Sequence, residues 1–124
     1  MTTVVNLRYD AYDIYIGRGS KWGNPYSHKD HTLAAYKVKT RTEAISKYED
    51  YILHNQELLS SLFELEDKVL GCFCKKPHRN ISCHGDILSA LSNTRKMYKI
   101  DTIEALIVKY TEVYLCKQKI HELF

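Results

Sequence analysis

The sequence predicts a small single-domain α/β fold of two or three layers, with few strands and a C-terminal helical extension. Three observations lead there. The run from Val69 to Cys74 is apolar or small throughout and follows a helical stretch, as a buried, parallel-type strand does. Cap patterns precede runs whose apolar residues recur three and four apart. The order strand, strand, long loop, helices, strand, loop, helix, helix suits a small layered sheet.

Residues 2–7 are β-branched and read as a first strand. Residues 8–11 form a turn, and residues 12–16 read as a second strand placed to pair with the first as a hairpin. A long loop follows from Gly17 to about His31, and loops of that length in small domains usually carry function. Thr40 and Glu43 make a Thr-x-x-Glu capping box. Ala44, Ile45, Tyr48, Tyr51 and Ile52 then share a helical face that runs to about Leu53. Asn55 caps a second short helix, with Leu58, Leu59, Leu62 and Phe63 on its packing side. After the strand comes a polar loop from Lys75 to Ser82, then a helix capped by Ser82 or Cys83. Asp86 falls in its first turn, where the helix dipole favours an acid, and Ile87, Leu88 and Leu91 face the core. The tail reads as another helix, opened by Asp101-x-x-Glu104 and striped with Ile103, Leu106, Ile107, Tyr110, Val113 and Tyr114. Three strands make a thin sheet, so a further strand is expected at residues 33–38 or in the tail.

Composition narrows the function classes. The chain has 124 residues, 44% apolar and 27% charged, as a single soluble domain does. No apolar run approaches the roughly 18–20 residues of a membrane span, and the first residues lack a basic, apolar leader. No membrane partner is expected, and the expected location is the cytoplasm. Reduced thiols are expected there at Cys72, Cys74, Cys83 and Cys116. The net charge of +3 suits an anionic small ligand. It does not suit a dedicated nucleic-acid binder. Lys75, Lys76, His78, Arg79, Arg95, Lys96 and Lys99 are offset by Glu49, Asp50, Glu57, Glu64, Glu66 and Asp67.

Chemistry concentrates in two stretches. In the loop from Gly17 to Tyr26, Arg18 and Lys21 offer charge to phosphate, and Ser20 a further hydrogen bond. Trp22 offers a flat face to a base, and Asn24 both a donor and an acceptor. The competing reading is a structural turn in which Trp22 fills the core and Asn24 and Pro25 set the bend. The second stretch is the helix start at Cys83, His84, Gly85 and Asp86. Free backbone N–H groups there face the carboxyl end of a strand, where open α/β sheets bind ligands. Here the competing reading is a capped helix with a buried cysteine and a satisfied histidine. Neither a Gly-x-Gly-x-x-Gly fingerprint nor a P-loop is present, and no cofactor is expected.

Cys72, Cys74, Cys83 and His84, with His28, His31 and His78, contain ligands enough for a tetrahedral zinc site. Cys72 and Cys74 would share a strand face. The common spacing is Cys-x-x-Cys, however, adjacent Cys83 and His84 would strain to hold one ion, and cysteine is an ordinary small core residue. The expectation is therefore no metal, with Cys72, Cys74, Cys83 and His84 as the residues that would hold one. Catalytic candidates are Cys83, whose thiol a helix start and an imidazole would activate, and His84 or Asp86 as base or nucleophile at a ribose.

Five blocks in order carry a resemblance to a known family: Val4 to Arg8, Tyr12 to Pro25, Thr40 to Tyr48, Leu70 to Cys74 and Cys83 to Leu88. Over residues 3–93 the chain resembles the phage and bacterial family catalogued as domain of unknown function 4326. The resemblance implies a compact Rossmann-like domain over residues 1–96 and a phage-type or bacterial source, and it implies no activity. The loop between Cys74 and Cys83 is longer here than in the family. Residues 97–124 are an extension, packed on the same domain or on a partner subunit as a homo-oligomer contact.

The functional expectation is a nucleotide or nucleotide-derived anion, of ADP-ribose type, bound between the loop and the helix start. Arg18, Ser20 and Lys21 would hold phosphate, Trp22 and Asn24 the base or ribose, and the Cys83, His84 and Gly85 backbone a second anionic group. Such a protein would sequester or process a host signalling nucleotide. The alternatives are an enzyme acting at a nucleotide ribose and a small zinc-binding structural or interaction protein.

Overall fold

The computed structural model describes residues 1–27, 36–75 and 83–115. Its main sheet has three strands, β1 (Thr3–Asn6), β2 (Ile14–Tyr15) and β5 (Val69–Cys72), in the order β1-β5-β2. β5 runs parallel to both neighbours, with Thr3 opposite Val69, Asn6 opposite Cys72, and Ile14 opposite Leu70. The first four residues of the apolar run thus lie at the centre, with Leu70, Gly71 and Cys72 buried, but the strand stops short of the expected Cys74 and leaves Phe73 53% exposed. The expected hairpin of β1 with β2 is not formed, because β5 inserts between them and uses both of its edges. The returning chain is pinned by Asp13, whose carboxylate accepts from the Val69 N–H at 2.8 Å. Tyr12 then lays its ring where a side chain at 71 would stand. A Cβ on Gly71 would meet the Tyr12 ring at 2.6 Å.

Two residues inside the long loop, β3 (Tyr26–Ser27), pair in parallel with β4 (Tyr36–Lys37), which falls within the stretch expected to hide a strand. The rings of Tyr26 and Tyr36 stack at 5.2 Å across this pair.

Helix α1 (Arg41–Leu53) starts where its capping box places it. Thr40 accepts from the Glu43 N–H, while Glu43 reaches back to the Lys39 N–H, one residue before the cap. Asn55 caps α2 (Gln56–Ser60) by accepting from Leu58. The chain then tightens into a 3₁₀ turn, Leu62–Leu65, with three residues per turn. That change of period turns Leu62 and Leu65 inward and leaves Phe63 60% exposed, against its expected place on the packing side.

Helix α3 (His84–Met97) buries Ile87, Leu88 and Leu91 and packs on one face of the sheet. A Cβ on Gly85 would meet Ile16 Cδ1 at 2.7 Å and Val4 Cγ1 at 2.8 Å. Glycine at 85 therefore sets how closely α3 sits on β1 and on Ile16, just beyond β2. Gly85→Ala is expected to destabilise the protein by about 2 kcal/mol, as overpacking does, read as a lower urea midpoint at unchanged slope.

α4 (Ile103–Tyr110) is capped by Thr102, whose hydroxyl accepts from the Ala105 N–H, and not by Asp101. It packs on α3 and α2 of its own domain and sends Leu106 and Tyr110 into the common core. The Tyr110 hydroxyl donates to Glu49 of α1 at 2.5 Å, and burial raises the pKa of that carboxyl. A π turn, Thr111–Leu115, closes the described chain. No helix among the described residues is long and apolar enough to cross a membrane.

Candidate metal centre

The carboxyl end of β5 and the start of α3 bring three cysteines together. Cys72 is the last residue of β5, and Cys74 lies two residues beyond it, where the chain has left the sheet. Cys83 occupies the cap of α3 in an extended conformation, φ −158° and ψ 170°. Cys72 Sγ lies 3.4 Å from Cys83 Sγ, and Cys74 Sγ lies 3.4 Å from Cys72 Sγ. All three sulfurs fall within 4.8 Å of one another. A tetrahedral zinc with bonds near 2.3 Å would hold sulfurs roughly 3.8 Å apart. Cys72 and Cys83 are buried, Cys74 is half-buried, and all three are free thiols.

His84 adjoins this cluster. Its Nε2 lies 2.6 Å from the Ile16 carbonyl oxygen, which can only accept, so Nε2 carries the proton. Nδ1 is then a lone pair, and it lies 3.6 Å from Cys74 Sγ. The ring is 5% exposed, and Tyr48 meets it edge-on at 5.1 Å.

The electrostatics follow from the contacts. Hydrogen bonds from Cys74 and Cys83 draw the Cys72 thiol well below its ordinary pKa. Donating to Cys72 pushes Cys74 up to about 12, and the same interaction raises Cys83. Burial lowers the His84 pKa and keeps the ring neutral. Two cations stand close by. Arg41 donates to the Cys74 carbonyl, and Lys75 pairs with Asp86 at 2.7 Å. Asp86 in turn accepts from the Cys83 N–H at 3.2 Å, bracing the cap. Of the two cations, Arg41 acts on the Cys74 thiol, while the charge of Lys75 is matched by Asp86.

The residues offered to a nucleotide have partners within the fold. The Arg18 guanidinium donates to the carbonyls of Asn24 at 2.8 Å and Tyr26 at 3.2 Å. Ser20 donates to the Gly17 carbonyl at 2.7 Å. Lys21 pairs with Glu64 at 2.7 Å and sits over the Trp22 ring. Trp22 is 2% exposed and belongs to the core. Asn24 donates to the Ala44 carbonyl at 3.0 Å and accepts from the Tyr26 N–H at 2.9 Å. Gly85 is closed off by Val4 and Ile16.

The loop and the helix start do meet, but through other groups: the Ile16 carbonyl on His84, and the Tyr48 hydroxyl on the Trp22 carbonyl at 2.7 Å. Arg41, Tyr48 and Ile16 were not singled out from the sequence as neighbours of the site. All three contacts use backbone carbonyls, which no residue identity announces, and Tyr48 looks like any apolar-face aromatic. His28, His31, His78, Lys76, Arg79 and Cys116 lie outside the described residues.

The family described as Domain of unknown function (DUF4326) matches residues 4–94, so the match takes in the whole cysteine cluster. A relative from Acanthamoeba polyphaga mimivirus, named as uncharacterized protein R718, is 31% identical over 113 residues, covering 78% of this chain and 81% of the relative. No solved structure gives a significant match.

Proposed function

The chain belongs to the domain of unknown function DUF4326 family, and on the geometry of its site we propose that it is a small thiolate metal-binding protein. Cys72, Cys74 and Cys83 hold a zinc-class ion at the junction of β5 and α3. The observation that carries this reading is the convergence of three sulfurs within 4.8 Å from two separate elements. Core packing alone needs cysteine at none of these places. It gives no reason for a third, half-buried thiol to complete the triangle. Zinc suits such a set because it prefers thiolate and imidazole and has no redox chemistry of its own. The ion would tie the end of the central strand to the helix that covers the sheet, at the edge where Rossmann-like sheets place their ligands.

The nucleotide reading lacks a comparable observation. Arg18, Ser20, Lys21 and Asn24 already bond within the fold, and Trp22 has no open face. An enzyme built on Cys83 or His84 would have to use groups that are 1% and 5% exposed.

The test is metal analysis of the protein purified without added chelator. About one equivalent of zinc per chain is expected, falling to background in Cys72→Ser. A metal-free, fully folded protein that takes up no zinc or cobalt on titration would defeat the proposal.

A further inference from the structure

We infer that the cysteine cluster also receives a trivalent thiophilic ion, of which arsenic(III) is the type, and that Cys72, Cys74 and Cys83 alone hold it. The inference rests on the reading of these thiols as a ligand site. It goes beyond that reading in the ion, its charge and its coordination number.

The number of ligand atoms comes first. The sulfurs of Cys72, Cys74 and Cys83 lie within 4.8 Å of one another, and among the described residues no histidine or carboxylate belongs to that set. His84 meets Cys74 only, with Nδ1 at 3.6 Å, and its Nε2 is committed to the Ile16 carbonyl. The Asp86 carboxylate is turned to Lys75 and to the Cys83 N–H. The fold therefore builds a set of three. A tetrahedral zinc on three protein ligands takes its fourth from outside the chain. Trivalent arsenic needs no fourth ligand, because a lone pair fills that corner.

Shape agrees with number. Cys72 Sγ lies 3.4 Å from Cys83 Sγ, and Cys74 Sγ is equally close to Cys72 Sγ at 3.4 Å. These separations are shorter than the roughly 3.8 Å of a tetrahedral zinc. The lone pair of a pyramidal centre presses its three bonds toward right angles, which draws the sulfurs in.

Burial and charge favour the same ion. Cys72 is 0% and Cys83 1% exposed, and net charge is costly in such surroundings. Three thiolates around a divalent ion leave one negative charge, which would draw on Arg41, already a donor to the Cys74 carbonyl. Around a trivalent ion they leave none, and the complex draws on no cation.

Loading needs no co-reactant. Arsenous acid is small and uncharged, and half-buried Cys74 is the thiol it meets first. At each cysteine an As–O bond breaks and an As–S bond forms. The thiol proton leaves with the arsenic-bound hydroxyl as water. Three thiols thus release three waters, and neither arsenic nor sulfur changes oxidation state. The product ties the end of β5 to the start of α3.

The experiment titrates the reduced, metal-free full chain with arsenite, and in parallel with zinc. The expected result is one arsenic per chain by native mass spectrometry, with three sulfur neighbours and no oxygen by X-ray absorption. Alkylation followed by peptide mapping should find Cys72, Cys74 and Cys83 protected and Cys116 reactive. In Cys74→Ser the shell should fall to two sulfurs, and gel filtration should strip arsenic that the parent retains. A mixed sulfur and oxygen shell in the parent, or protection of Cys116, would overturn the inference. Zinc uptake without arsenite uptake would overturn it while leaving the zinc reading intact. An all-sulfur arsenic shell in a protein that takes up no zinc or cobalt would uphold it and remove the zinc reading. The shell is read on the parent protein, so the test does not depend on the variant folding.

Discussion

Cys83→Ala should cost little in the presence of a chelator and a great deal in its absence. Without metal, the substitution removes one small buried sulfur beside Cys72, a loss of about 1–2 kcal/mol by the usual cost of shaving a packed core. With metal, it also removes a ligand. An ion present at a thousandfold excess over its dissociation constant stabilises the native state by about 4 kcal/mol, and that contribution goes with the ligand. The summed loss should lower the melting midpoint by upward of about 10 °C in a domain of this size. The decisive quantity is the interaction term between mutation and chelation. If the parent and Cys83→Ala differ by the same 1–2 kcal/mol with and without chelator, the three cysteines are core residues and nothing more. A large coupling between the two treatments has no source other than a bound ion. Cys74→Ala sharpens the comparison. Its side chain is half-buried and should matter least to packing, yet it should lose metal as fully as Cys83→Ala.

Much of this architecture was legible from residues 69–72, because a short β-rich apolar run between helical stretches is best satisfied at the centre of a sheet, although the run itself extends to Cys74 and Phe73 turns out to solvent. Local chemistry was legible too: Thr40 and Asn55 cap the helices they precede. What escaped was whatever needed a second segment to decide it. A hairpin and a parallel pair divided by a third strand look alike in residues 3–16. Only β5, more than fifty positions on, distinguishes them. The ligand types at the cysteine cluster were visible, but their spacing argued against a metal. One thiol pair, Cys72 with Cys83 at 3.4 Å, joins a strand end to a helix cap, and no local spacing reports that distance. The loop is ambiguous for a different reason. A glycine-rich turn carrying arginine, lysine and tryptophan has the same composition whether its cations face a phosphate or its own carbonyl oxygens. A self-capped turn needs strong donors as much as a ligand does.

Arg18 is where those two uses of a cation separate by experiment. Its guanidinium spans the carbonyls of Asn24 and Tyr26, both partly buried, and so holds the descent of the loop into β3. Removing it strands two acceptors at once. With hydrogen bonds to a charged group at about 1.5–3 kcal/mol each, Arg18→Ala should destabilise the domain by roughly 3–4 kcal/mol. Arg18→Lys should recover only part of this, since an ammonium has no planar fork to reach both oxygens. An arginine that served a phosphate would behave oppositely. Held in reserve for a ligand, it should be replaceable by alanine within about ±0.5 kcal/mol, with its loss seen only in binding. Denaturant midpoints of the three proteins, measured with no nucleotide present, therefore read the role of the residue directly. The same measurement on Asn24→Ala should give a loss of about 2 kcal/mol, because its amide bonds Ala44 of α1 and Tyr26 from a site only 7% exposed. Parallel losses at 18 and 24 would make the loop a brace between β3 and α1. A stable Arg18→Ala would return the cation to the search for a ligand.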